Sequence, residues 1–266
     1  MIVIKFGGHA MTDAEGLFAQ AVQGAIDLGE ECVIVHGGGP QIDAALKVAN
    51  VESEFTGGFR VTSPSVFAIV QRVLGGEVLR DVVAQLRSAG LNAVGITGRD
   101  GGLLIAKRLT QLVNGAEVDL GQVGDVVRVD TAILETLIDS GFLPVVSPIA
   151  TEGDETHEFS SAGLNVNADL AAAAIAGAMK ASSLIFMTDV PGIYKNWPET
   201  SSLISIIRAS ELDAMKDQFT EGMAPKVRAA LNAISSGAHS VRVIDGTDPQ
   251  SFALALRGIG GTLVIP

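Results

Sequence analysis

A chain of 266 residues, 47% hydrophobic with 31 glycines, is long enough to bury a large core as one big α/β domain or as two lobes. The net charge of −12 (18 Lys and Arg against 30 Asp and Glu), with no basic run, excludes a general affinity for nucleic acid or an anionic membrane, so an anionic ligand must be attracted by local charge. The lone Cys32 excludes an intramolecular disulfide and a cysteine zinc site, His9, His36, His157 and His239 lack metal-ligand spacing, and neither a signal peptide nor a spanning segment is read, so a reducing, cytoplasmic setting is expected.

The first element is a β-branched run, Ile2-Val3-Ile4-Lys5-Phe6-Gly7-Gly8, which reads as a buried strand carrying a lysine and a glycine pair to the carboxyl edge of a sheet. Residues 13–28 have helical periodicity, with Thr12 or Asp13 as cap and Gly29 as stop. A second strand, Cys32-Val33-Ile34-Val35, ends in His36-Gly37-Gly38-Gly39-Pro40 and opens a helix over 41–49, giving a βαβ unit with a parallel, right-handed crossover. Two glycine turns and a lysine on one sheet edge form a candidate phosphate cradle, since exposed amides and a helix N-terminus attract anions. Turn chemistry alone also explains either stretch. Neither turn carries the Walker spacing, and Gly37-Gly38-Gly39-Pro40-Gln41-Ile42 lacks the last glycine of the dinucleotide fingerprint, which argues against a Walker ATPase and an ordinary dehydrogenase.

Residues 51–61 read as extended or hairpin, and Arg60 lies beside Gly57-Gly58, where a guanidinium could meet a carboxylate or phosphate. A surface arginine in a hairpin is an equal reading. Residues 63–89 predict one long helix from a Thr62 or Ser63 cap with Pro64 in its first turn, and Gly75-Gly76 marks a close approach or a bend. Its apolar face suits core packing or a subunit interface. A strand over 93–97, a hairpin within 103–120 turning at Asn114-Gly115, a helix over 131–140 and a strand over 143–147 complete a first half, 1–150.

In the second half, 151–266, residues 151–162 read as a polar loop before Leu164-Asn165-Val166-Asn167-Ala168-Asp169, whose asparagines can cap the next helix with Asp169 in its first turn. Capping by itself accounts for them. A strand over 184–187 ends in Thr188-Asp189-Val190-Pro191-Gly192-Ile193-Tyr194, a second sheet-edge turn, and residues 197–202 form a polar loop. A helix over 211–218 precedes Thr220-Glu221-Gly222-Met223-Ala224-Pro225-Lys226-Val227, which enters a helix running to 235. Lys226 falls in its first turn, where the macrodipole disfavours a cation, so a function is expected of it. Strands over 240–244 and 262–265 close the sheet. The expected fold is therefore α/β, a three-layer αβα sandwich with a largely parallel central sheet and two lobes.

Taken together, Ile4-Lys5-Phe6-Gly7-Gly8, Val35 to Gln41, Gly58-Phe59-Arg60-Val61-Thr62, Asn165 to Asp169, Thr188 to Gly192 and Gly222 to Val227 resemble the amino acid kinase family, in the family's order and across essentially the whole chain. Within it, the likeness is to the members that phosphorylate N-acetyl-L-glutamate in arginine biosynthesis. The resemblance implies an N-terminal lobe that binds the acyl amino acid and carries a homodimer interface, and a C-terminal lobe that binds ATP. It also implies that Lys5 and Lys226 stabilise the transferring phosphoryl group, that Gly8 and Gly38 donate backbone N–H bonds to it, and that Asp169 organises the two lysines. Arg60 and Asn165 would hold the α-carboxylate and acetamido end, with Gly38 and Gly39 lining that pocket. Gly7, Thr188, Asp189, Val190, Pro191, Gly192, Ile193, Tyr194, Phe219 and Thr220 would border the nucleotide. A carboxylate acceptor is already ionised at neutral pH, so no general base is required, and Mg2+ would be held mainly by the ATP phosphates.

His9 departs from the family pattern, which often has a small or amide residue there. Arginine-inhibited members begin with an extra helix that links dimers into a ring of six, whereas strand one here starts at residue 2, so a homodimer without strong arginine inhibition is expected. The nearest alternative is a kinase for aminoadipate or glutamate carried on a protein in lysine biosynthesis, which would need a basic surface for an acidic carrier.

Overall fold

The structure, a computed structural model, describes residues 1–7, 16–112, 115–154, 159–196, 198–219, 223–248 and 250–266. In chain order its elements are β1 (Ile2–Phe6), α1 (Leu17–Asp27), β2 (Cys32–His36), α2 (Gly39–Ala49), β3 (Phe55–Thr56), β4 (Phe59–Arg60), α3 (Pro64–Arg72), a π-helical stretch (Val73–Val78), α4 (Leu79–Ser88), β5 (Ala93–Thr97), β6 (Leu104–Arg108) and β7 (Val123–Val129). There follow α5 (Ala132–Asp139), β8 (Leu143–Ser147), β9 (Ile149–Gly153), β10 (Phe159–Val166), α6 (Ala168–Ala178), β11 (Ser183–Thr188), β12 (Ile206–Arg208), α7 (Ala209–Ala214), α8 (Met223–Ser235), β13 (Val241–Asp245), α9 (Ser251–Leu256) and β14 (Thr262–Ile265).

Eight of the strands form one sheet in the order β12-β14-β13-β11-β1-β2-β8-β5, parallel except where β14 meets β13. β1 is buried throughout because parallel neighbours and a packed layer cover it on every side, which is why its sequence is apolar apart from Lys5. Period-two alternation divides the core between the two faces. Ile2, Ile4 and Phe6 pack with α1, α3, α4 and α9, where Phe18 stacks on Phe6 with centroids 4.2 Å apart and meets Phe252 edge-on. Val3, Val33 and Phe186 face α6 and α8. The result is the expected αβα layering, and Cys32 is one of its buried residues, its thiol pushed up to about 12 by burial.

A second assembly, β10-β7-β6-β9, closes into a small barrel beside the sheet. It corrects the reading of 151–162 as a loop: β9 and the start of β10 are strands. Their polar residues mislead because one side of a barrel wall faces solvent, where Glu152 pairs with Arg108 of β6 at 2.8 Å. Residue 150, the expected boundary between halves, lies within β9.

The expected helix over 63–89 is interrupted by the π-helical stretch that contains Gly75-Gly76, so the glycines mark an irregularity rather than a helix contact. The helix expected over 211–218 divides into α7 and a 3-10 turn, Lys216–Gln218, while β12 has no counterpart in the sequence reading. In 103–120, β6 pairs with β7, and the predicted turn is flanked by a Gln111–Glu117 bridge and by backbone hydrogen bonds from the Leu112 amide to the Ala116 carbonyl at 2.9 Å and from the Val118 amide to the Thr110 carbonyl at 3.0 Å, while Asn114 lies outside the described residues. α1 begins at Leu17, and its two candidate caps, Thr12 and Asp13, also lie outside them. The hairpin in 51–61 is present as β3 and β4, joined by Gly57 and Gly58 at φ 57° and 83°, the two positive φ values that a tight two-residue turn requires.

Candidate active site

β1 has β2 on one side and β11, from the far half of the chain, on the other, so chain connections leave it in opposite directions. In open α/β sheets such a switch point opens a crevice at the carboxyl ends of the strands. Lys5 stands there. It lies two residues after Val3 and therefore on the same face, the one covered by α6 and α8. α6 starts where Asn167 accepts hydrogen bonds from the Asp169 and Leu170 amides, which places the Asp169 side chain in the first turn, directly over Lys5. α8 packs closely against α6, whose alanine-rich face and Gly177 let the backbones approach; a Cβ on Gly177 would overlap Ser236. That packing brings Lys226, in the first turn of α8, to the same carboxylate.

Asp169 is thus held between two ammonium groups, 3.1 Å from Lys5 Nζ and 3.6 Å from Lys226 Nζ, at 4% exposure. Burial pushes its carboxyl up, but the opposing charges of Lys5 and Lys226 outweigh burial and hold it below the usual carboxylate range. The triad lines a cleft of about 290 Å³ whose other walls include Gly37, Gly38, Gly39, Arg60 and Asn165. The starts of α2, α6 and α8 all border it, so three helix N-termini reinforce the two lysines. This is the local positive field an acidic chain needs to bind an anion.

The glycine turn after β2 is shaped by close packing. A Cβ on Gly38, at φ 156°, would stand 2.6 Å from Leu74 Cδ2, and one on Gly7 would stand 2.8 Å from Lys5 Nζ. His36, just before the turn, is fully buried; its Nδ1–H donates to the Gly37 carbonyl at 2.7 Å, and burial lowers its pKa to about 4, so the ring is neutral.

The acceptor-side candidates are held by their own network. Arg60 Nη2 lies 2.7 Å from Asp43 Oδ1 on α2, and its guanidinium sits 4.5 Å from the Phe55 ring centroid. Asn165 donates from Nδ2 to Thr62 Oγ1 at 3.2 Å, and the Thr62 hydroxyl donates to the Arg60 carbonyl at 2.7 Å. Thr62 and Asp43 were not read as site residues from sequence, although Thr62 stands inside the Gly58 to Thr62 motif.

The cleft therefore brings together Lys5, Gly38, Gly39, Arg60, Asn165, Asp169 and Lys226. The second set, Thr188 to Tyr194, does not line it but sits at the end of β11, the strand next to β1. There the Thr188 hydroxyl accepts from the Val190 amide, the Ile193 amide donates to Thr262 Oγ1 at 2.8 Å, and Ile193 and Tyr194 are buried beneath the turn while Asp189 is exposed. Phe219 is half-buried against the core. Gly8, Thr220 and His9 lie outside the described residues.

A largely parallel sheet with a cationic, amide-rich cleft at its switch point defines an α/β protein whose cleft has the charge to suit an anion. The match extends to sequence: residues 1–245 fit the amino acid kinase family, and the chain belongs to it. It is 46% identical over its full length to the acetylglutamate kinase of Paenarthrobacter aurescens, covering 86% of that protein, and 44% identical to that of Corynebacterium efficiens, covering 87%. A Streptococcus mutans structure superposes with a TM-score of 0.80 at 27% identity, covering 99% of this chain and 98% of that one. A carbamate kinase from Giardia lamblia shares the fold at a TM-score of 0.67 and 20% identity, covering 99% of this chain and 97% of the other.

Proposed function

We propose that this chain transfers the γ-phosphoryl group of ATP to the side-chain carboxylate of N-acetyl-L-glutamate, as the step of arginine biosynthesis its family resemblance implies. The observation that carries the reading is the Lys5–Asp169–Lys226 triad in one cleft with Arg60 and Asn165. The acceptor carboxylate and the phosphoryl group are both anions, and catalysis consists of holding them in line while cancelling their repulsion. Lys5 and Lys226 supply the charge, Asp169 fixes their spacing, and the amides of Gly8 and Gly38 add hydrogen bonds that strengthen as charge spreads in the transition state. The neutral, buried His36 takes no proton, in keeping with an acceptor that needs no base.

Arg60, with Gly38 and Gly39 from residues 1–150, and Asn165 from the second half hold the α-carboxylate and acetamido group; the Thr188 to Tyr194 turn with Gly7, Phe219 and Thr220 borders the nucleotide. The accompanying Mg2+ would be held mainly by the ATP phosphates, since this ion keeps several of its waters and binds through substrate phosphates with few protein ligands. A cytoplasmic homodimer joined through the N-terminal half completes the proposal; light scattering should give twice the 27.4 kDa chain mass. None of the described helices is long and apolar enough to cross a membrane.

Steady-state ADP release with N-acetyl-L-glutamate, glutamate, aspartate, carbamate and UMP as acceptors tests the reading. Turnover should require acetylglutamate. Equal turnover with free glutamate would show that Asn165 and Arg60 do not read the acetamido end.

A further inference from the structure

Arg60 forms a partition between two cavities. On one side is the triad cleft; on the other is a larger cavity of about 580 Å³, lined by Asp43, Lys47, Glu52, Glu54 and Arg60 itself. Asp43 belongs only to the second. It projects from the first turns of α2, the helix whose start forms the glycine wall of the cleft, and reaches Arg60 from behind, with Oδ1 2.7 Å from Nη2. Phe55, across the β3–β4 hairpin, stacks on the guanidinium at 4.5 Å.

A guanidinium has five donors in a planar fork, so a single carboxylate oxygen at one nitrogen leaves a second donor edge for another carboxylate. Asp43 is 59% exposed in its side chain while that of Arg60 is 6% exposed, so Asp43 stays hydrated and orients the buried cation without quenching it. An arginine fixed before its ligand arrives loses less rotamer freedom on capturing it.

We propose that Asp43 is a positioning residue for the acceptor: it holds the Arg60 guanidinium against Phe55 with its remaining donor edge toward the cleft, so that the α-carboxylate meets a fixed fork. The inference rests on reading Arg60 as the acceptor's carboxylate ligand, and the test separates the two.

Steady-state kinetics at saturating MgATP and varied N-acetyl-L-glutamate are measured for Asp43→Asn, Asp43→Glu, Arg60→Ala and the double variant Asp43→Asn with Arg60→Ala, alongside thermal unfolding. Asp43→Asn should raise KM for the acceptor about ten-fold while kcat and KM for MgATP stay within about two-fold of the parent and the unfolding temperature holds. Asp43→Glu should recover most of the loss, and in the Arg60→Ala background Asp43→Asn should add less than about two-fold. An unchanged or lowered KM in Asp43→Asn, or an effect that persists without Arg60, overturns the proposal. If Arg60→Ala itself leaves the acceptor KM unchanged, the acceptor-site reading falls; if Arg60→Ala raises it and Asp43→Asn does not, only the role of Asp43 falls.

Discussion

Replacing Asp169 by Asn keeps the shape of the side chain and removes the charge between two lysines. At an effective dielectric constant of about 20, ion pairs of 3.1 Å and 3.6 Å carry gross attractions of roughly 5 kcal/mol each. Desolvation returns much of that in the parent, but removing the shared partner leaves two ammonium groups facing each other in a buried site, a change that costs about 3 to 5 kcal/mol. Near the lower figure, the melting temperature of a chain this size should fall by roughly 6–12 °C. The loss should depend on pH in a defined sense. The folded-state pKa of Asp169 is depressed, so its contribution is complete above the ordinary carboxylate pKa and declines only as pH falls toward the folded value. Chemical denaturation of parent and variant between pH 7 and 3 should show a gap that is constant down to about pH 5 and narrows below about pH 4. Equal stability at pH 7, or a gap that does not change with pH, would refute the claim that Asp169 is the charged organiser of the triad.

Lys226→Ala, folded as the parent by circular dichroism, should lower kcat by ~10³ or more, since one cation of the pair proposed to meet the phosphoryl group is gone; near-normal turnover would remove Lys226 from the mechanism. Thr62→Val should raise the acceptor KM several-fold and cost about 1–2 kcal/mol in denaturant titration, because it leaves the Asn165 amide and the Arg60 carbonyl without the shared hydroxyl. The folded-state pKa of His36, about 4, lies below its ordinary 6.5, so the unfolded chain takes the proton first and the stability from the neutral ring, complete above pH 6.5, is lost as pH falls toward 4. His36→Asn should therefore remove up to about 3 kcal/mol of the parent's decline over that range, measured as the difference between their denaturation midpoints; parallel curves would contradict it.

The parts of the site written as local pattern were legible in the sequence. Ile2 to Phe6 announces a buried central strand through four apolar residues around a single lysine, Asn167 and Asp169 announce a helix start, and Lys226 stands out because a cation in a first helical turn opposes the dipole. What pattern does not record is which elements meet. Asp43 reads as an ordinary polar residue on α2, and only the fold of the β3–β4 hairpin brings Arg60 to it. Residues 151–153 and 159–162 look like a loop because the barrel wall that β9 and β10 form is half solvated, and their partners besides each other, β6 and β7, lie far back in the chain. The short β12 carries too few residues for periodicity to register.

In the proposed reaction the new bond joins phosphorus to an oxygen of the side-chain carboxylate of N-acetyl-L-glutamate. Incubation with MgATP, N-acetyl-L-glutamate and hydroxylamine, followed by mass analysis of the product, tests it most directly, because only an acyl phosphate gives a hydroxamate. The γ-hydroxamate of N-acetylglutamate should form in step with ADP release and be abolished in Lys226→Ala. ADP release with no hydroxamate, or a hydroxamate formed at the α-carboxylate, would contradict it.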